Sequence, residues 1–130
     1  RLPGIIMSAL TVVALFRSGT LLSNKITGFF AAGITLSSFY WIELVAGRNQ
    51  LDQNDVAFLS YVSLSIWSFI EYYFSRKKLW LILVGVFSGG AILCKWLAGL
   101  FVYSIWGLFA ITSKHAFKRE FLNMAAALVI

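Results

Sequence analysis

The chain has 130 residues, 60% of them hydrophobic and 12% charged, with a formal net charge of +6. A soluble domain carries about a quarter charged residues, so this composition leaves too little polar surface for a water-soluble globular enzyme. The fold class it implies is all-α, a polytopic transmembrane helical bundle.

In chain order, Arg1-Leu2-Pro3 opens a first apolar run, 2–17. Pro3 suits a first helical turn, where its missing N–H costs nothing, and Arg17 can snorkel from the far end. The second run, 27–45, has 19 residues, enough for a tilted crossing. Gly28, Ala31, Ala32 and Gly33 allow close helix packing in its first half, and Tyr40 and Trp41 mark a membrane interface at its end. The third run, 56–74, closes with Glu71-Tyr72-Tyr73 and the basic Ser75-Arg76-Lys77-Lys78, the pattern of a cytoplasmic boundary in which Glu71 reads as solvated.

Residues 79–112 form 34 residues of almost unbroken apolar sequence. One straight helix of that length would be about 50 Å long, against a hydrocarbon core of about 30 Å. Two helices, 79–94 and 96–112, joined near Cys94-Lys95, are therefore expected, with Gly85 and Gly89 at a GxxxG spacing as a packing face. A sixth run begins within 121–130. The chain starts without an initiator Met and stops inside apolar sequence. It is thus read as part of a single transmembrane domain, five spans and the start of a sixth, and as inactive alone.

Charge counting supports this alternation. With the 43–55 loop outside, the inner side holds eight cations, Arg17, Lys25, Arg76, Lys77, Lys78, Lys114, Lys118 and Arg119, and the outer side three, Arg1, Arg48 and Lys95. That asymmetry follows the positive-inside rule and accounts for the net charge without a nucleic-acid partner. One cysteine, Cys94, permits no internal disulfide.

Three of the five acidic residues, Glu43, Asp52 and Asp55, fall in 43–55 together with Arg48, Asn49, Gln50, Gln53 and Asn54, and Lys95 returns to the same face. Ionisable groups close to a bilayer are costly and tend to mark function. Carboxylates can act as general base, ligand to a divalent metal or acceptor for sugar hydroxyls, while Arg and Lys clamp phosphate. Together they suit a substrate with a hydroxyl-rich head, a phosphate and a lipid tail.

Arg1-Leu2-Pro3 resembles the R-L-P signature that opens a helix in dolichyl-phosphate-mannose–protein mannosyltransferase-like enzymes, GT-C glycosyltransferases that include the lipid A aminoarabinose transferases. The stretch from Glu43 through Arg48 to Asp52 is similar to an outer loop of that family. Gly89-Gly90-Ala91-Ile92-Leu93-Cys94-Lys95 resembles its G-x-A-x-L-T-K-G stretch, with Cys94 for Thr and Trp96 for Gly. The resemblance implies a GT-C-like bundle that moves a sugar from a polyprenyl-phosphate donor to a lipid, glycan or protein acceptor. The expected setting is the periplasmic or lumenal face, in a bacterial cytoplasmic membrane. By carry-over Asp52 is a supporting catalytic carboxylate, with the main base upstream of Arg1, and Lys95 binds the donor phosphate. Arg48 orients Asp52 or pairs with phosphate, and Glu43, Asn49, Gln50 and Asp55 complete the substrate site.

Plainer readings stand beside these. Arg48 and Asp52 are spaced as an i,i+4 ion pair, worth a few tenths of a kcal/mol. Asp55 could be a helix N-cap, Glu43 a snorkelling carboxylate, Lys95 an interfacial anchor and Cys94 an apolar filler. His115 has no companion ligand for zinc. A transporter or flippase for an amphipathic or anionic solute is the alternative. Such proteins favour charges and broken helices at mid-membrane, whereas the charges here gather at a boundary.

Overall fold

The computed structural model describes residues 2–46, 53–112 and 117–129, and every element among them is helical. In chain order these are α1 (Leu2–Leu22), α2 (Lys25–Ser37), α3 (Phe39–Ala46), α4 (Gln53–Ser75), α5 (Lys78–Lys95), a 3-10 turn (Trp96–Leu100), α6 (Phe101–Thr112) and α7 (Phe117–Val129). Leu2–Leu22 and the stretch Lys78–Thr112 are long and apolar enough to cross a bilayer.

Asn24 starts α2, its side chain accepting the Thr27 N–H at 2.8 Å. The apolar run 27–45 is not one helix, because the backbone turns extended at Ser38. Thr35 and Ser37 donate back to the carbonyls of Ala31 and Gly33, a habit that loosens and bends helices. The Ser38 hydroxyl then accepts the Trp41 N–H at 3.4 Å, so the same residue closes α2 and opens α3. Trp41 does not sit in an exposed interfacial belt. It is buried with Leu44 of α3 and Val56 of α4, against Met7 and Val45.

Helix α4 is the central element, packed between α1 and α5. Its apolar contacts with α5, α6 and α7 build the main core, in which Phe69 and Tyr72 meet Val84, Val102, Tyr103, Trp106 and Ala127. The Trp106 ring, fully buried, lies 5.0 Å from Phe69 and 5.5 Å from Tyr72 between centroids. Small hydroxyls stitch the helices together within this apolar packing. Thr11 of α1 donates to Ser60 of α4 at 2.8 Å, and Ser60 has the carbonyls of Val56 and Met7 at 2.7 and 3.0 Å. Ser65 donates to the Val84 carbonyl of α5 at 3.3 Å. Tyr103 of α6 shares a 2.8 Å hydrogen bond with Ser88 of α5 and donates to the Ala127 carbonyl of α7.

That Ser88–Tyr103 bond also shows the chain reversing between α5 and α6. Fifteen residues apart on a straight helix they would be separated by about 22 Å. The reversal is made at Trp96, whose φ of 46° ends α5, and the turn folds back so tightly that a Cβ on Gly99 would stand 2.7 Å from the Ala91 carbonyl carbon.

Glycines make two further close approaches. A Cβ on Gly19 of α1 would stand 2.8 Å from Gly28 Cα of α2, and one on Gly28 would overlap the Phe16 carbonyl oxygen. On α5, Gly85 is buried as the GxxxG spacing suggests, but Gly89 faces open space. Its neighbour Gly90 takes the contact instead, with a Cβ there 2.8 Å from the Tyr61 ring. The α5 face toward its neighbours is Val84, Gly85, Ser88 and Ala91, and Gly89 lies off that stripe.

The α1–α2 contact yields a paired test. Gly28→Ala should destabilise the bundle by about 1–3 kcal/mol through overpacking. Gly33→Ala, with nothing within 4 Å, should be neutral or stabilising by up to about 1 kcal/mol. Unfolding in mixed micelles, followed by circular dichroism, checks both; equal effects would remove the glycine contact as a constraint.

Candidate active site at the Lys95 end of the bundle

Of the residues singled out in sequence, Arg48, Asn49, Gln50 and Asp52 lie outside the described residues. Glu43, Asp55 and Lys95 are described. Asp55 stands in the first turn of α4, whereas an N-cap would precede the helix. It forms an ion pair with Lys95, the last residue of α5. The Lys95 ammonium also lies over the Phe58 ring, 5.7 Å from its centroid. Phe58 is one turn beyond Asp55, so α4 offers the cation a carboxylate and an aromatic face from neighbouring positions. Glu43, half-buried, is on α3 between Trp41 and Leu44, both packed against Val56, the residue after Asp55. The same end of the bundle therefore brings together Glu43, Asp55 and Lys95.

The side chains of Lys95 and Asp55 are 45% and 24% exposed, so water still reaches the pair. This decides its character. An accessible ion pair contributes about 0–1 kcal/mol and can open for an incoming anion. Among the described residues no three His, Cys, Asp or Glu side chains gather in a metal-binding arrangement. Cys94, beside Lys95, is free and half-buried.

Sequence reasoning missed the other end. Glu71 is not solvated; it is buried, accepting Arg17 Nε at 3.0 Å and Trp67 Nε1 at 3.3 Å. Glu120, equally buried, pairs with Arg76 and accepts Trp106 Nε1 at 3.2 Å. Nearby, Asn123 donates to the Tyr72 hydroxyl at 2.6 Å. Partial burial works against the Arg76 charge, but the hydrogen bonds to Glu120 and Tyr72 outweigh it and raise the pKa. The guanidinium thus stays charged at any physiological pH. The signals were the Trp67/Glu71 spacing of four and a lone acid, Glu120, after Lys118-Arg119. These pairs join helices, and among the ion pairs Arg17–Glu71, Arg76–Glu120 and Lys95–Asp55 the last, at the Lys95 end, has the most exposed carboxylate.

A double-mutant cycle on Asp55→Asn and Lys95→Met, read by unfolding in mixed micelles, should give a coupling of up to about 1 kcal/mol. No coupling would return Lys95 to an interfacial anchor.

No curated protein and no solved structure matches the chain. The family model described as dolichyl-phosphate-mannose-protein mannosyltransferase matches residues 1–130. The chain belongs to that family, the integral-membrane glycosyltransferases of the GT-C type.

Proposed function

We propose that the protein transfers a glycosyl group from a polyprenyl-phosphate donor to a lipid, glycan or protein acceptor at the membrane face that holds Lys95. By the positive-inside count this is the outer face, which the family resemblance makes the periplasmic side of a bacterial cytoplasmic membrane. The observation that carries the reading is the meeting of Lys95 with Asp55, beside Glu43, in a chain of this family.

The chemistry is a displacement at the anomeric carbon. The acceptor oxygen forms the new bond, the bond from the anomeric carbon to the phosphate oxygen breaks, and the lipid phosphate departs with the electron pair. A carboxylate takes the acceptor proton, with Asp52 as a supporting carboxylate. Lys95 stabilises the charge growing on the departing phosphate. In the absence of donor, Asp55 occupies the Lys95 ammonium as a phosphate would, and Phe58 supports it from the side. Arg48 orients Asp52 or adds a second cation, and Glu43, Asn49 and Gln50 offer hydrogen bonds to sugar hydroxyls. The solute-transport alternative loses ground because the family is one of transferases.

The test is transfer from a labelled polyprenyl-phosphate sugar by the full-length protein in membranes, with Asp52→Asn and Lys95→Ala compared at equal expression. Each substitution should lower the rate about a hundred-fold or more. Full transfer by both variants would reduce the cluster to anchors and caps. No transfer by the wild type across several donor sugars would favour transport instead.

A further inference from the structure

The strongest unassigned feature lies at the opposite end of the bundle. Lys77 lies in the connection from α4 to α5 and Lys78 opens α5, Lys118 and Arg119 stand in the first turn of α7, and all four are exposed. The Arg76–Glu120 ion pair joins the two segments, since each of its members is the immediate chain neighbour of one basic pair. The Asn123–Tyr72 hydrogen bond is a second tie between α7 and α4. Both carboxylates at this end are already committed, Glu71 to Arg17 and Glu120 to Arg76. Among the described residues the four cations have no acidic partner.

Their placement does not serve the helices that carry them. Lys77 caps α5 without a side-chain hydrogen bond and Lys78 is its first residue. Lys118 and Arg119 occupy the first turn of α7. Cations in a first turn oppose the helix dipole, and like charges on two segments that an ion pair joins repel one another. An external anion relieves both costs.

The surroundings identify that anion. Phe74 and Leu79 flank the Arg76–Lys78 turn, Phe121 and Leu122 follow Lys118–Arg119, and all four apolar side chains are exposed. A cationic patch bordered by exposed apolar side chains on both segments matches a phosphate that carries hydrocarbon, not a soluble anion. We propose that Lys77, Lys78, Lys118 and Arg119 form a binding site for the headgroup of an anionic phospholipid of the surrounding bilayer. Its acyl chains would lie along Phe74, Leu79, Phe121 and Leu122. This goes beyond the orienting effect of loop charge, because it requires selective retention of one lipid class by two segments that the Arg76–Glu120 pair holds together.

The full-length protein, purified in mild detergent, is given equal amounts of phosphatidylglycerol and phosphatidylcholine, and the lipids it retains are measured by native mass spectrometry. Wild type should retain phosphatidylglycerol selectively. Each cation near an anionic lipid surface contributes about a five-fold gain in binding. Lys77→Gln/Lys78→Gln and Lys118→Gln/Arg119→Gln should therefore each lower the selectivity by about ten-fold or more. If a double variant does not accumulate, the four single variants are read instead, at about five-fold each. Equal retention of the two lipids by wild type overturns the proposal, as does selectivity unchanged in the variants. Loss of phosphatidylglycerol on addition of inorganic phosphate, at matched ionic strength, also overturns it, by showing a soluble-anion site.

Discussion

Hydrocarbon offers no hydrogen bonds, so polar atoms that this sequence places within the bilayer look for partners on the chain, and among the described residues the buried Trp41 Nε1 is the exception. Helix α4 is where most of those partners meet. Ser60 and Ser65 reach α1 and α5, Tyr72 meets α7, and Glu71 holds Arg17 at the end of the same helix. Each interhelical bond of this kind contributes only about 0.6 kcal/mol. Their larger effect is on specificity. A hydroxyl that must meet one particular carbonyl fixes both the rotation and the height of two helices, which apolar packing alone leaves loose. Hence α4 can be at once the most serine-rich helix and the centre of the bundle.

The two ends of that bundle use charge differently, and burial explains the difference. Glu71 and Glu120 are buried, each receiving one guanidinium and one indole N–H. Removing a guanidinium would leave a buried carboxylate without its cation, although Arg17 and Arg76 are themselves 51% and 41% exposed, so these contacts act as joints short of the full strength of a buried pair. Lys95 and Asp55 remain open to water, and their pair opens for about 1 kcal/mol or less. A joint must not exchange partners, and a phosphate site must. The same types of side chain therefore do opposite work at the two ends, according to how much water reaches them.

This division explains which parts were legible in the sequence. The helical membrane class followed from apolar runs separated by short polar segments, since hydrocarbon permits little else. Local periodicity also exposed the reversal within 79–112, because its length exceeds what one crossing can hold. The break at Ser38 was hidden, because Thr35, Ser37 and Ser38 are individually ordinary in an apolar helix and act only together, the first two by back-bonding and Ser38 by accepting the Trp41 N–H. Trp41 looked like an interfacial ring, yet its burial depends on Met7 and Val56, distant in sequence. Glu71 was misread for the same reason: its partner Arg17 lies on another helix. Pairings across the bundle leave no local trace: span alternation brought Asp55 and Lys95 to one face, but their direct ion pair was not legible.

The turn that presents Lys95 ties the fold to the site. The stretch ending in Lys95 resembles one that continues with glycine, and this chain has Trp96 there, with φ 46° and ψ −119°. That region suits glycine and strains a side chain, at a cost of about 1–3 kcal/mol. The indole is highly exposed at this end of the bundle, where an amphipathic ring gains from the membrane interface. Glycine would make the turn without strain but without an anchor; tryptophan accepts the strain and fixes the depth of the turn. Because Lys95 is its immediate neighbour, the turn also sets where the ammonium meets Asp55. An exposed indole at a membrane interface offsets part of that strain, which ties the turn that carries the cation to the setting of the whole bundle.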